Sequence, residues 1–156
     1  MAELMRLRLP ANWAVCYNSF ADEDMVVEDG WITNFFHYKE DLLWLESMRA
    51  SAAGRQELNP TGWLVDLGWY PDGDPSGAFS LVIFRLADDV EGWSEQRPTF
   101  RSTNRYHVRA VLEYALEHLW LHPDCSQQQL QQQLTQVQQA QEQNRLHSFL
   151  GAAFFS

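Results

Sequence analysis

The stretch GWLVDLGWYPDGDPSGAFSLVIFRL, which spans Gly62–Leu86, decides the fold. Apolar residues alternate with other residues on both sides of a block of Pro, Gly, Asp and Ser, which is the pattern of two strands joined by a turn. If the turn is symmetric about Asp74, the facing pairs are Trp69 with Phe79, Leu67 with Leu81, Val65 with Ile83, and Trp63 with Arg85. Because such cross-strand pairs stabilise an antiparallel ladder, we predict that this hairpin is the centre of an antiparallel sheet.

Composition limits the classes of protein to which the chain can belong. A chain of 156 residues with 13% aromatic residues has the length and the apolar content for one folded domain. Cys16 lies inside an apolar run and Cys125 beside a predicted helix start, so reduced thiols are favoured over a disulfide framework. The N-terminus lacks the apolar core of a signal peptide, and no run reaches membrane-spanning length. These features predict a cytoplasmic protein.

Upstream of the hairpin, the sequence predicts strands and then a helix. Leu4–Leu9 and Trp13–Phe20 have strand-like spacing, and Trp31–Phe36 is either a strand or the lead-in to a helix. The segment 38–53 has a helical composition with acidic residues in its first turn, and Gly54 follows as a plausible cap.

Downstream of the hairpin, the sequence predicts an edge strand and an amphipathic helix. Trp93–Arg101 resembles a third strand of the meander, which Pro98 places at an edge. Ser102 or Thr103 can cap the helix that follows, and this helix stops before Pro123.

The last part of the chain is dominated by glutamine. Ser126 and Gln129 have the spacing of a capping box, and a thin apolar seam follows at helical spacing. The seam consists of Leu130, Leu134 and Val137. Such a helix lies across the sheet or against a second copy of the chain, or it frays, and the aromatic residues near the end favour a docked helix.

Together these segments predict an α+β fold. It is a single domain in which a central antiparallel sheet, a meander built on hairpin 62–86, packs with two to three helices. Residues 1–125 form the α+β core in this prediction, and residues 126–156 form a Gln-rich C-terminal helix docked on the core or on a partner chain.

The charge balance indicates the kind of partner. With 21 acidic and 11 basic residues the net charge is -10, which repels nucleic acid and anionic lipid and attracts a basic partner. The basic residues include a cluster of Arg97, Arg101, Arg105 and Arg109. We expect this cluster to pair with the acidic loop Asp88–Glu95, so no nucleic-acid or membrane partner is predicted.

No motif predicts a cofactor or a metal. The loop Asp72–Gly77 resembles the start of a calcium loop, but Ile83 stands where the last carboxylate is required. Asp66 lies among apolar residues of the central strand, where a carboxylate can act as an acid or base, pair with an arginine or face a partner. A small enzyme that uses Asp66 and a histidine such as His107 is therefore an alternative function.

Two segments carry a resemblance to a known family. GWLVDLGWYPDGDPSGAFSLVIFR and PTFRSTNRYHVRAVLEYALEHL give the order aromatic hairpin, strand with an FRS-like turn, and amphipathic helix. This order resembles immunity proteins of bacterial polymorphic toxin systems, including contact-dependent growth inhibition. The resemblance implies stoichiometric binding and blockade of one toxin domain, with no cofactor and no turnover.

The absence of a catalytic constellation also favours a binding protein, since aromatic anchors with charged surroundings are typical of tight interfaces. An acidic surface suits a basic target such as a nuclease, whose cleft for phosphate is cationic. The predicted partner-binding residues are Tyr70, Asp72 and Asp74 at the hairpin tip, then Asp22, Glu23, Asp24, Asp88, Asp89 and Glu91. A third hypothesis is a scaffold that self-associates through the Gln-rich helix, and both a monomer and a homodimer remain compatible with the sequence.

Overall fold

An antiparallel main sheet organises the computed structural model, which describes residues 2–88 and 97–155. Within those residues the strands are β1 Trp13–Asn18, β2 Val27–Glu28, β3 Trp31–Ile32, β4 Leu43–Ala50, β5 Gln56–Leu58, β6 Trp63–Tyr70, β7 Ala78–Arg85 and β8 Thr99–Ser102. The α-helices are α1 Arg105–Leu121, α2 Gln127–Glu142 and α3 Leu146–Leu150. The main sheet has the order β1-β4-β6-β7-β8 with β5 beside β4, and β2 and β3 form a separate hairpin. The fold is α+β, as predicted.

The central hairpin has the predicted register. Trp63 pairs with Arg85 and Trp69 with Phe79, and the residues between them pair one to one in the same register. The rings of Trp69 and Phe79 pack edge to face with their centroids 4.9 Å apart. The turn residue Asp74 accepts a backbone hydrogen bond from Gly77 at 3.0 Å. The aromatic pair next to the turn therefore closes the hairpin as the sequence indicates.

The predicted helix over 38–53 is wrong. Half of this segment forms β4, which lies between β1 and β6 in the main sheet. Leu43 and Leu45 are buried while Trp44 between them is exposed, which is the period of a strand. Leucine, glutamate and methionine favour helices, but pairing with a strand on each side outweighs that preference. Gly54, with φ 80°, lies in the turn after β4 and caps no helix.

The flanking strands are shorter than predicted. The segment Leu4–Leu9 contributes one isolated bridge, between Leu4 and Ala21. β8 pairs with β7 as the third strand of the meander, and the part of that predicted strand before Arg97 lies outside the described residues.

The N-cap of α1 is not a residue that the sequence predicts. The side chain of Asn104 caps the helix by accepting hydrogen bonds from the backbone N–H groups of Tyr106 and His107. Neither Ser102 nor Thr103 has this role. The hydroxyl of Ser102 instead accepts a hydrogen bond from the backbone N–H of Asn104 at 3.0 Å and so holds the cap in place.

The core lies between one face of the main sheet and α1. Apolar side chains in register across neighbouring strands line this face and are almost completely buried. One row consists of Leu43, Leu67, Leu81 and Phe100, and the next consists of Leu45, Val65 and Ile83. The buried side of α1, which includes Val108, Val111, Leu112 and Leu116, belongs to the same cluster. Burial of this apolar surface is the main favourable contribution to folding.

The Gln-rich helix α2 closes the β8 edge of the main sheet. Oε1 of Gln138 accepts a hydrogen bond from the backbone N–H of Arg101 at 2.8 Å, and its Nε2 donates to the carbonyl of Arg101 at 3.0 Å. Oε1 of Gln127 accepts from the backbone N–H of Arg85 at 2.8 Å. An amide side chain carries the same donor and acceptor as a peptide group, so glutamines replace the strand that the edge lacks.

The apolar seam of α2 is buried within the same chain. Leu130, Leu134 and Val137 have at most 1% exposure. The predicted capping box between Ser126 and Gln129 forms in both directions. The helix is therefore docked on its own domain rather than frayed.

Replacing Gln138 with Leu tests the closure of the edge. The variant removes the partner of the Arg101 N–H and leaves the Arg101 carbonyl only the amide of Gln141, so we expect the free energy of unfolding to fall by about 1 kcal/mol. Urea denaturation measures the change. Gln139→Leu, at an exposed position of the same helix, is the matched control. Equal effects of the two substitutions would contradict the role of Gln138.

Gly68 allows the chain before β4 to cross closely over β6. The backbone N–H of Trp69 donates to the carbonyl of Lys39 at 2.6 Å, and that of Leu42 donates to the carbonyl of Leu67 at 2.9 Å. A Cβ atom on Gly68 would lie 1.9 Å from the carbonyl oxygen of Glu40. Only glycine fits at this position without a shift of the backbone.

Gly68→Ala should therefore destabilise the protein by about 2–3 kcal/mol, because the backbone of Glu40 has to move. Thermal and urea unfolding measure the loss. Gly54→Ala is the comparison, since a Cβ atom there meets nothing within 4 Å and is opposed only by φ 80°, which costs about 1 kcal/mol. If Gly68→Ala destabilises the protein less than Gly54→Ala does, the backbone of Glu40 does not pack tightly against position 68.

Candidate interaction surface

The face of the main sheet opposite α1 carries a second set of side chains, here called the open face. It consists of Tyr17, Trp44, Glu46, Leu64, Asp66, Tyr70, Val82 and Phe84, which alternate with the core residues or pair across the strands. Tyr17 and Trp44 pair directly and are 48% and 46% exposed. Since the α-helices of the described residues pack elsewhere, these rings are available to a partner.

A groove of about 730 Å³ lies on the open face. Its lining includes Cys16, Tyr17, Asp41, Trp44, Leu64, Asp66, Phe84 and Arg97. The register of β1 shifts between Val15 and Tyr17, and this bulge brings both Cys16 and Tyr17 to the groove. A bulge next to a site commonly redirects a side chain in this way.

Asp66 is the half-buried carboxylate of the groove. Burial raises its pKa, the nearby charge of Asp41 raises it further, and the charge of Arg97 opposes both effects. The carboxylate forms no hydrogen bond or ion pair with the residues that the structure describes. The guanidinium of Arg97 lies 4.0 Å above the ring of Phe84. Asp66 is therefore a partly desolvated acid without a direct partner among those residues.

Two of the predicted hairpin-tip residues lie at the end of the open face. The hydroxyl of Tyr70 donates to the carbonyl of Glu40 at 3.3 Å, and Oδ1 of Asp72 accepts from the backbone N–H of Glu40 at 2.9 Å. Burial raises the pKa of Tyr70, and the charges of Asp66, Glu40, Asp41 and Asp72 raise it further. The structure thus brings Tyr70 and Asp72 to the neighbourhood of Asp66.

Asp74 has a local role in the turn. Its Oδ1 accepts hydrogen bonds from the backbone N–H and the hydroxyl of Ser76 at 2.8 and 2.7 Å, and these bonds lower the pKa of Asp74. Such a side chain stabilises the loop itself. In the part of the chain that the structure describes, no group of three or more His, Cys, Asp or Glu residues could hold a metal ion.

The acidic segment Asp22–Asp24 lies at the start of α1 rather than on the open face. The guanidinium of Arg105, 16% exposed, binds Asp22 at 2.9 Å and Asp24 at 2.6 Å. The hydroxyl of Tyr106 also donates to Asp22 at 2.7 Å. Glu23 lies 3.6 Å from a ring nitrogen of His37. Arg105 therefore pairs with this segment. Most of the loop Asp88–Glu95, with which the arginine cluster is expected to pair, lies outside the described residues.

The remaining predicted acids lie at the limit of the described structure. Asp88 ends a short 3-10 helix, Leu86–Asp88. Asp89 and Glu91 lie outside the described residues.

The structure does not bring Asp66 and His107 together. Asp66 faces the groove, whereas His107 lies on α1, where its Nδ1 is 3.1 Å from Oε1 of Gln141. The main sheet separates the two side chains. His118 and His122 lie near the end of α1 with their rings tilted at 42° and the centroids 4.7 Å apart, also away from the groove.

Sequence reasoning missed Tyr17 and Trp44 as surface residues. Trp44 fell within the wrongly predicted helix, although the alternation of Leu43, Trp44 and Leu45 is typical of a strand with one exposed face. For Tyr17 no such signal exists, because the bulge at Cys16 interrupts the alternation in β1.

Comparison with protein-family models, with curated proteins and with solved structures finds no match for this chain. Among the described residues, no helix has both the length and the apolar character that crossing a membrane requires. The family resemblance thus stays a prediction from the two sequence segments, and the geometry of the open face is the independent ground for a function.

Replacing Asp66 with Asn tests its desolvation. Because its pKa is raised in the folded chain, the folded state holds the proton more tightly, and stability falls as the pH rises from about 4 through the raised pKa. We expect Asp66→Asn to stabilise the protein at pH 7 and to have no effect below about pH 3, where the carboxyl is protonated in both states. Chemical denaturation across this pH range measures the difference.

Glu142→Gln, at an exposed position of α2, controls for the loss of one negative charge from an acidic protein. A loss of stability at pH 7 on Asp66→Asn would mean that the carboxylate is satisfied in the folded chain.

Proposed function

We propose that the protein is a bacterial immunity protein that acts in the cytoplasm and neutralises one toxin domain by stoichiometric binding. The observation that carries the proposal is the open face, where exposed Tyr17 and Trp44 stand beside the carboxylates Asp41 and Asp66. The proposed partner is a basic protein domain, and a nuclease suits it best because the cleft of a nuclease is cationic.

The rings supply the anchoring part of such an interface. Trp44 and Tyr17 are large and have few rotatable bonds, so their burial by a partner removes much apolar area at a small entropic cost. They project from paired strands of the main sheet, and a site built on strands is held more firmly than one built on loops.

The carboxylates supply attraction and orientation. Asp41, Asp66, Glu40 and Asp72 give one end of the open face a negative charge, and the net charge of -10 extends this field around the protein. Opposite fields accelerate the encounter of two proteins and favour one orientation. Carboxylates over a cationic cleft would then occupy the place of substrate phosphates and block the toxin without any chemical step.

Two alternative functions have weaker support. An enzyme that uses Asp66 and His107 lacks a common site, since the sheet lies between the two residues. A scaffold that self-associates through α2 lacks an exposed seam, because Leu130, Leu134 and Val137 are buried in their own chain.

Co-expression with the C-terminal domain of a secreted protein encoded by the neighbouring upstream gene tests the proposal. Size-exclusion chromatography with light scattering should give a complex of one copy of each chain, and cells that produce the toxin domain should grow only when this chain is present. A toxin domain that neither binds nor is neutralised would refute the proposal.

Trp44→Ala should weaken the complex by about 2 kcal/mol or more, roughly thirtyfold in Kd, because an exposed anchor is lost at the proposed interface. Isothermal titration calorimetry measures the change. Trp120→Ala is the matched control, since Trp120 is 55% exposed but lies on α1 at the other side of the sheet. An unchanged Kd for Trp44→Ala, or an equal loss for both variants, would place the interface elsewhere.

A further inference from the structure

We infer that the groove of the open face binds an arginine side chain of the partner, with the guanidinium paired to Asp66 and stacked against Trp44. The inference rests on the proposed function in that the arginine belongs to the bound protein. It adds the chemical class of the group that the groove recognises.

The first ground is the state of Asp66. A half-buried carboxylate has lost part of its hydration, and hydrogen-bond donors, a nearby cation or protonation compensate this loss. Asp66 has neither a hydrogen bond nor an ion pair with the described residues, and it lines a groove of about 730 Å³. A partner's cation that enters this groove supplies the missing compensation.

The second ground is the shape and nature of the walls. Trp44 and Tyr17 pair across β1 and β4 and line the same groove. A guanidinium stacks on an aromatic face and presents a fork of N–H donors to a carboxylate at the same time. An ammonium group is a strongly hydrated point charge, so it uses the flat walls less well. The combination of ring and carboxylate therefore favours arginine over lysine.

The third ground is that this chain already holds one of its own arginines in the same way. The guanidinium of Arg105 lies 4.5 Å from the centre of the Tyr106 ring and binds both Asp22 and Asp24. The lining of the groove carries two carboxylates, Asp41 and Asp66, and one cation, Arg97. The groove thus has the ring and the carboxylates of the Arg105 site, with room for a guanidinium from outside.

A capped tripeptide, acetyl-Gly-Arg-Gly-amide, is the probe for the test, and it needs no toxin. The matched probes replace the arginine with citrulline, which keeps the shape and removes the charge, or with lysine, which keeps the charge and removes the fork. The indole N–H signal of Trp44, assigned with Trp44→Phe, reports binding by NMR. We expect a saturable shift with the arginine peptide and at least about tenfold weaker binding of both matched peptides.

Asp66→Asn should weaken the binding of the arginine peptide by about tenfold, since a charge-assisted hydrogen bond is lost. Glu142→Gln removes the same charge from an exposed position of α2 and should leave the binding of the arginine peptide unchanged.

No saturable shift, equal binding of the arginine and citrulline peptides, or equal effects of the two variants would overturn the inference. Equal binding of the lysine peptide would overturn the preference for a guanidinium. The comparison of peptides uses the unaltered chain and decides the matter even if Asp66→Asn does not fold.

The outcomes separate this inference from the proposed function. If the arginine peptide binds as expected but the toxin domain is not bound, the immunity function fails and the groove remains an arginine site. If the toxin domain is bound with unchanged affinity by Asp66→Asn, the groove inference fails and the immunity function stands.

Discussion

Burial of one face of the main sheet against α1 is the constraint on which the rest of the structure depends. The register of β6 turns Leu67 towards the core and Asp66 away from it, and a slip of one residue would exchange the two faces. Because the core fixes this register, it also fixes which side chains reach the open face. The pairing that forms the core thus positions Trp44 and Asp66 beside each other, since they are direct partners across β4 and β6.

The two edges of the main sheet are protected differently. At the β8 edge, the amide of Gln138 bonds both backbone groups of Arg101. This explains why a segment with so little apolar surface is a docked helix: its glutamines act as peptide groups for the sheet, and its narrow seam has only to hold them in place. At the β1 edge, a bulge at Cys16 interrupts the ladder, which discourages pairing with another strand.

Local patterns in the sequence were enough for the hairpin, the capping box of α2 and the extent of α1. Each depends on residues a few positions apart, whose spacing is visible in one chain. The strand β4 was missed because its partners lie in β1 and β6, and pairing over such distances outweighs helix propensity. The N-cap Asn104 was missed by one residue, because several capping residue types stand in a row there. The hydrogen bond between Asp22 and Arg105 joins residues 83 positions apart in the sequence, and no local sequence pattern predicts it.

The density of acidic residues does not by itself locate a binding surface. Asp22 and Asp24 are held by Arg105, and Asp74 by Ser76. These contacts already occupy part of each carboxylate, and a solvent-exposed charge gains little from pairing, so their net contribution to binding is small. Asp66 was singled out by the sequence for its apolar surroundings rather than for neighbouring charge, and those surroundings leave it desolvated without a direct partner among the described residues. A cation from outside gains a direct contact there that the described residues do not supply, so the charge of the open face favours a partner that can place a cation in the groove.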